Sequence, residues 1–203
     1  MPETLEGRTG RASRRKASEV RRERIIDAVI DLVLERRLPA TSEEVSRRSG
    51  VSTATLFRYF ESLDELRRAA SRRAVERFPE LFVLPEIGRG ARSERITRFC
   101  TMCLGLWEKL HPLAHVMRSN SLADRAAEDQ IDVERQQMAL VIRRQFAAEL
   151  RHMTPARRDD VVATIGVLTS VESWQQYRRS YGRSARQTRR AWVEAIERLL
   201  GDA

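Results

Sequence analysis

Cysteine is almost missing from this 203-residue chain: Cys100 and Cys103 are the only two, too few for the disulfide framework of a small secreted domain. Long apolar runs are missing as well. The longest stretch, 161–168, is far short of the roughly 20 residues that a membrane-spanning helix needs. No apolar segment of signal-peptide character lies near residue 1, so a soluble cytoplasmic protein is expected, with no membrane partner. Lysine occurs only at 16 and 109, so arginine carries nearly all the positive charge. Arginine suits bidentate contacts to guanine and phosphate, but so uniform a bias also follows from GC-rich coding. No P-loop, dinucleotide fingerprint, nucleophile elbow or zincin motif is present. An enzyme is therefore not expected, nor a cofactor or a metal. There is no internal repeat.

Charge is what the chain does have. Lys and Arg number 38 against 29 Asp and Glu, a net charge of +9 that favours a polyanionic partner, most simply nucleic acid. Residues 1–73 hold 17 cations and 12 anions, against 21 and 17 in the rest, so the excess is denser in the first third. Residues 1–17 are Gly/Ser/Arg-rich without apolar period. They read as a disordered basic arm, which either tracks phosphates or is simply a solvated tail.

The stretch 41–60, TSEEVSRRSGVSTATLFRYF, organises the remainder. Thr41 and Glu44 have capping-box spacing, Gly50 suits a left-handed helix end, and Ser52 caps a second helix. Val51 and Leu56 have hydrophobic-staple spacing, and Leu56 and Phe60 share one face. That leaves Thr53, Ala54, Phe57 and Arg58 pointing outward on the first turns of the second helix, as reading of the major groove requires. A helical hairpin inside a core has some of the same spacings; caps, turn and staple together favour the helix-turn-helix. A preceding helix should span 18–37, and Ser62 with Glu65 should open a following one that fades at Pro79.

GVSTATLFRYFESLDEL (50–66) resembles the DNA-binding signature of the TetR (tetracycline-repressor) family through Gly50, Val51, Ser52, Thr55, Leu56, Tyr59, Phe60, Ser62 and Leu66, with Thr41 and Val45 upstream. Four positions depart from it. Ser46 and Ala54 replace the usual Ala and Gly, and Phe57 and Leu63 replace a Tyr and a Lys that meet phosphates. The resemblance implies an all-α protein: an N-terminal three-helix helix-turn-helix domain (18–78) and a larger C-terminal helical ligand-sensing and dimerisation domain (79–203), with about nine helices in all. It implies a homodimer that binds a palindromic operator on double-stranded DNA, more simply as a repressor released by a small apolar ligand. Thr53, Thr55 and Arg58 become candidates for base contact, and Thr41, Ser52 and Tyr59 for phosphate; Ala54 and Phe57 complete the expected DNA-binding set.

The junction between the two parts should lie within 79–93, a stretch rich in the breakers Pro85, Gly88 and Gly90. Apolar periodicity predicts helices over 94–110, 112–120, 124–152, 155–181 and from Ser184 onward. Phe99, Met102, Cys103, Leu106, Trp107, Met117, Met138, Ile142, Phe146, Trp174 and Tyr177 either line a ligand cavity between these helices or fill their core. Gly105, mid-helix, suggests that something packs closely there. The last two long helices should pack antiparallel. In the resembled family such a pair meets its twin, which makes Val171, Trp192, Ile196 and Leu199 candidates for a dimer interface. Two other readings stay open: a metal or redox sensor using Cys100 and Cys103, with His111 and His115 nearby in sequence, and a helical enzyme or adaptor with no DNA role.

Overall fold

A computed structural model of the chain describes residues 5–36, 38–121 and 124–201, and these form helices and no strand. In order they are α1 (Leu5–Arg36), α2 (Ser42–Ser49), α3 (Thr53–Tyr59), α4 (Leu63–Arg77), a 3-10 turn (Pro79–Leu81) and α5 (Arg92–Ser121). Then come α6 (Arg125–Gln145), α7 (Ala147–Leu150), α8 (Pro155–Leu168), α9 (Val171–Gln175), a π-helical segment (Gln176–Ser180) and α10 (Ala185–Gly201).

Two apolar clusters hold these helices. In the first, Ile25, Ile30 and Val33 of α1 meet Val45 of α2, Leu56 of α3, Phe60, and Leu66 and Ala70 of α4. The second joins Ile96, Phe99, Cys100 and Cys103 of α5 to Ile142 of α6, Phe146, Val161 and Ile165 of α8, Trp174 of α9, and Trp192, Ile196 and Leu200 of α10. Between Leu81 and Arg92 the chain forms no helix, and Gly88 and Gly90 there take φ of 74° and 88°, yet packing crosses this stretch. The later half of α5 supplies Leu106, Leu110, Leu113 and Val116 to the first cluster.

Four expectations about the helices need correction. Residues 5–17, expected to be disordered, continue α1, and an Arg15–Glu19 pair at i, i+4 supports the turn before Ser18; residues 1–4 lie outside the described set. Pro112 does not separate two helices but sits inside α5. A mid-helix proline removes one hydrogen bond and costs about 3 kcal/mol. Buried Leu110, Leu113 and Val116 on either side of it offset that cost. The helix expected over 124–152 breaks at Phe146, because buried Arg95 donates from Nη1 to the Gln145 carbonyl (2.9 Å) and so takes that oxygen out of the helical ladder. The helix expected over 155–181 breaks after Leu168. There Trp107 Nε1 donates to the Thr169 carbonyl (2.8 Å) and Ser170 caps α9 through the Ser173 amide (3.2 Å).

Candidate nucleic-acid interface

The turn between α2 and α3 is set by side chains within three or four residues of it. Thr41 and Glu44 cap α2 reciprocally: Thr41 Oγ1 accepts from the Glu44 amide (3.3 Å), and Glu44 Oε2 accepts from the Thr41 amide (3.0 Å). Glu44 also pairs with Arg36 of α1; these bonds, led by the one from the Thr41 backbone, hold its carboxyl below the usual value. Gly50 ends α2 at φ 68°, a conformation that glycine adopts without strain. Ser52 Oγ then accepts from the Thr55 amide at 3.1 Å and opens α3. At Ser62 the expected reciprocal cap is only half made. Its Oγ accepts from the Glu65 amide (3.1 Å), while Glu65 reaches one residue further back, to the Glu61 amide (2.7 Å).

Leu56 is fully buried, which anchors α3 by about 2 kcal/mol. Its opposite side faces out. Ala54 and Arg58 are exposed and Phe57 is 46% exposed, as the apolar spacing predicted. Thr53 is half-buried and shares a hydrogen bond with Ser46 (3.3 Å), and Thr55 accepts from Ser52 Oγ (3.0 Å). The hydroxyls expected to reach bases are thus engaged within the chain. Thr41 and Ser52 are exposed. Tyr59 accepts a hydrogen bond from Ser18 of α1 (3.3 Å), and this bond, with Arg21 beside it, holds the phenol below its usual value. Arg58 lies over the Tyr59 ring, and Arg22 lies 4.9 Å from the Phe60 centroid. Leu63 packs against the first cluster, so its side chain is an edge of the core. The Ser18 and Ser46 contacts escaped sequence reasoning, since nothing local marks a partner 41 residues away, or one 7 residues away across the turn.

Next to this surface, Lys16, Ala17, Val20, Arg21 and Arg24 of α1 border an open basic groove of about 380 Å3. The arginines of α4 are turned to the protein instead. Arg67 pairs with Asp64 (2.7 Å), Arg68 with Asp124, and Arg73 with Glu76 (2.8 Å), while Arg72 donates to Gln130 of α6 at 2.9 Å.

Met117 aside, the residues expected to bind a ligand divide between the two apolar clusters. Phe99, Cys103, Ile142, Phe146 and Trp174 are buried together in the second cluster, with Met102, Met138 and Tyr177 at its edge. Leu106 belongs to the first cluster, Trp107 touches both, and Met117 is buried. Gly105 faces open space, with nothing within 4 Å of a built Cβ, so the close packing expected there is absent. Three of the four expected dimer residues are buried within the chain. Trp192 and Ile196 have no exposed surface at all, and Val171 is 4% exposed, so they fill this chain's own core; Leu199 is half-buried. What α8 and α9 do expose is an open groove of about 560 Å3 bordered by Ala163, Thr164, Val167, Leu168 and Ser173, with Val167 71% exposed.

Burial pushes the Cys100 thiol strongly upward and that of Cys103 up to about 12. Such thiols carry almost no thiolate at neutral pH and are poor redox nucleophiles. Among the described residues no three His, Cys, Asp or Glu side chains come together as a metal site. His111 instead stacks on Trp174, ring centroids 4.4 Å apart. No described helix is long and apolar enough to cross a membrane.

No family model and no curated protein matches the sequence. Solved structures do match. A TetR-family transcriptional regulator from Streptomyces coelicolor is similar at a TM-score of 0.75 and 20% identity, over 91% of this chain and 82% of that one. A TetR-like transcriptional regulator from Rhodococcus sp. RHA1 is similar at 0.63 and 19%, over 91% and 97%. The fold is that of the TetR-type regulators. The multidrug binding protein EbrR, solved with imidazole, is similar at 0.65 and 17%, over 88% and 94%. The TetR-type likeness covers 91% of this chain, whereas the motif resemblance covered only about a quarter of it.

Proposed function

We propose that this chain is a DNA-binding transcriptional regulator that acts as a homodimer on a palindromic operator, as a repressor released by a small apolar ligand in the cytoplasm. The observation that carries this reading is α3, a short helix capped by Ser52 and anchored by Leu56, with Ala54, Phe57 and Arg58 exposed beside one another. Arg58 is suited to guanine O6 and N7. Thr41, Ser52 and Tyr59, with Arg21 and the basic groove on α1, would meet phosphates and fix the register. Thr53 and Thr55 stand behind this front.

The second copy would seat on the α8–α9 face around Ala163, Thr164 and Val167, because a 71% exposed valine beside small side chains suits a two-fold contact. The ligand would enter the second cluster between α5, α6, α8 and α9, where partly buried Met102, Met138 and Tyr177 flank Phe99, Ile142 and Phe146. EbrR, of the same fold, is described as multidrug binding. Coupling would run through the polar contacts of α4 with α6, Arg68–Asp124, Arg72–Gln130 and Ser71–Glu134 (3.2 Å), since a shift of α6 moves the helix that carries the reading head.

Selection from a pool of random duplexes with the full-length protein tests the reading. A recovered palindrome, bound with an affinity that falls as salt rises, is the expected result. Recovery of no preferred duplex at any salt concentration would overturn it.

A further inference from the structure

The polar groups of α3 are largely occupied inside the chain. Thr53 is bonded to Ser46, Thr55 to Ser52 and Tyr59 to Ser18. The outward face that remains is the Ala54 methyl, the Phe57 ring and the Arg58 guanidinium. Ala54 and Phe57 are three residues apart and therefore neighbours on the helix surface. An aromatic side chain left 46% exposed there is not sealed into the core.

Base edges in the major groove present donors, acceptors and one apolar group, the C5-methyl of thymine. Residues near the start of the second helix are the ones that reach base edges in this docking geometry. We propose that Phe57, with Ala54 beside it, is a specificity-determining residue that reads a thymine methyl in each operator half-site. This rests on the DNA-binding reading above and adds the base it selects. A phenyl ring accepts and donates no ordinary hydrogen bond, so it gains nothing from a phosphate oxygen. Against a methyl group it removes apolar surface from water. Arg58, the next residue, would take an adjoining guanine by hydrogen bonds, so the two side chains read different chemistry at neighbouring positions.

The duplex recovered by selection with the full-length protein can be resynthesised with each thymine replaced, one at a time, by deoxyuridine. That change deletes the methyl group and keeps every hydrogen-bonding group. At one position per half-site the dissociation constant should rise about four-fold, the worth of burying one carbon group. With Phe57→Ala, thymine and deoxyuridine at that position should bind equally. Phe57→Leu should keep part of the preference. Because Phe57 is exposed, neither substitution should alter the circular dichroism spectrum. If no thymine position is sensitive, or if Phe57→Ala keeps the full preference, the inference is overturned while DNA binding stands. If selection yields no duplex, the DNA-binding reading falls and takes this inference with it.

Discussion

The helices of the first cluster and those of the second end in different ways. α2 begins and ends on groups inside 41–51: Thr41 and Glu44 at one end, Gly50 at the other. α3 begins on Ser52 and Thr55. α6 and α8, by contrast, are ended by side chains from α5. Arg95 takes the Gln145 carbonyl, and Trp107 takes the Thr169 carbonyl, from 50 and 62 residues away. Local caps make a small unit whose shape follows from its own twenty residues. Distant donors make a bundle whose helix breaks depend on its packing. The two sets of helices still share α5, whose later half packs Leu106, Leu110, Leu113 and Val116 into the first cluster.

Substitutions can break this comparison, and the largest effect should come from the core of the second cluster. Ile196 has no exposed surface, so Ile196→Glu buries an unpaired carboxylate and should abolish cooperative unfolding rather than give folded monomers. Val167→Glu, on the exposed α8 face, should leave the fold intact and yield monomers. Circular dichroism and sedimentation of the two variants separate these outcomes; a folded monomer from Ile196→Glu would contradict the burial.

A smaller loss should follow from cutting the network that ends α6. Arg95 and Glu149 have side chains only 6% and 12% exposed and are paired, and Arg95 also holds the Gln145 and Gly90 carbonyls. Glu149→Ala leaves the guanidinium buried without its counter-charge and should cost about 3–5 kcal/mol in urea unfolding. The loss should appear in probes of the second cluster, such as Trp192, as much as in the whole.

The cap of α2 should matter less. Thr41→Ala removes one side of the capping box and should cost about 1 kcal/mol. Thr41 is also an expected phosphate contact, so its effect on DNA binding should exceed its effect on stability; a Thr41→Ser variant, which keeps the hydroxyl, should restore both. If affinity and stability fall by the same free energy, Thr41 serves the fold alone.

The same contrast explains what could be read in advance. Thr41, Gly50, Ser52 and Leu56 stand where their spacing put them, because caps and staples act over three to five residues. The break at Phe146 could not be read, because Arg95 carries no local mark of the carbonyl it seeks; at Thr169 the Ser170 cap is local and only the Trp107 bond is distant. Pro112 was read by its intrinsic preference, which tertiary packing overrides inside α5. Trp192 and Ile196 were legible as an apolar stripe, but a stripe does not say whether it faces its own core or a second chain. For the front of α3, exposure followed from periodicity, whereas the loss of the threonine hydroxyls to Ser46 and Ser52 required the packed structure.

The smallest expected effect, and the only gain, is at Gly105. The sequence suggested that a neighbour presses on this mid-helix glycine, and the structure shows a Cβ there meeting nothing within 4 Å. Nor does its φ fall in the left-handed region, where φ is positive only at Gly50, Gly88, Gly90, Gly182 and Glu86 among the described residues. Glycine therefore contributes no special geometry at this point of α5, and its conformational freedom in the unfolded chain is a pure cost to folding. Gly105→Ala should raise stability by about 0.5–1 kcal/mol in thermal or urea unfolding and leave DNA affinity unchanged. A loss of stability would mean that the α5 surface at 105 is covered in the functional assembly, by a second chain or a ligand. Repeating the measurement across protein concentrations separates these: a penalty that grows as dimers form identifies the second chain.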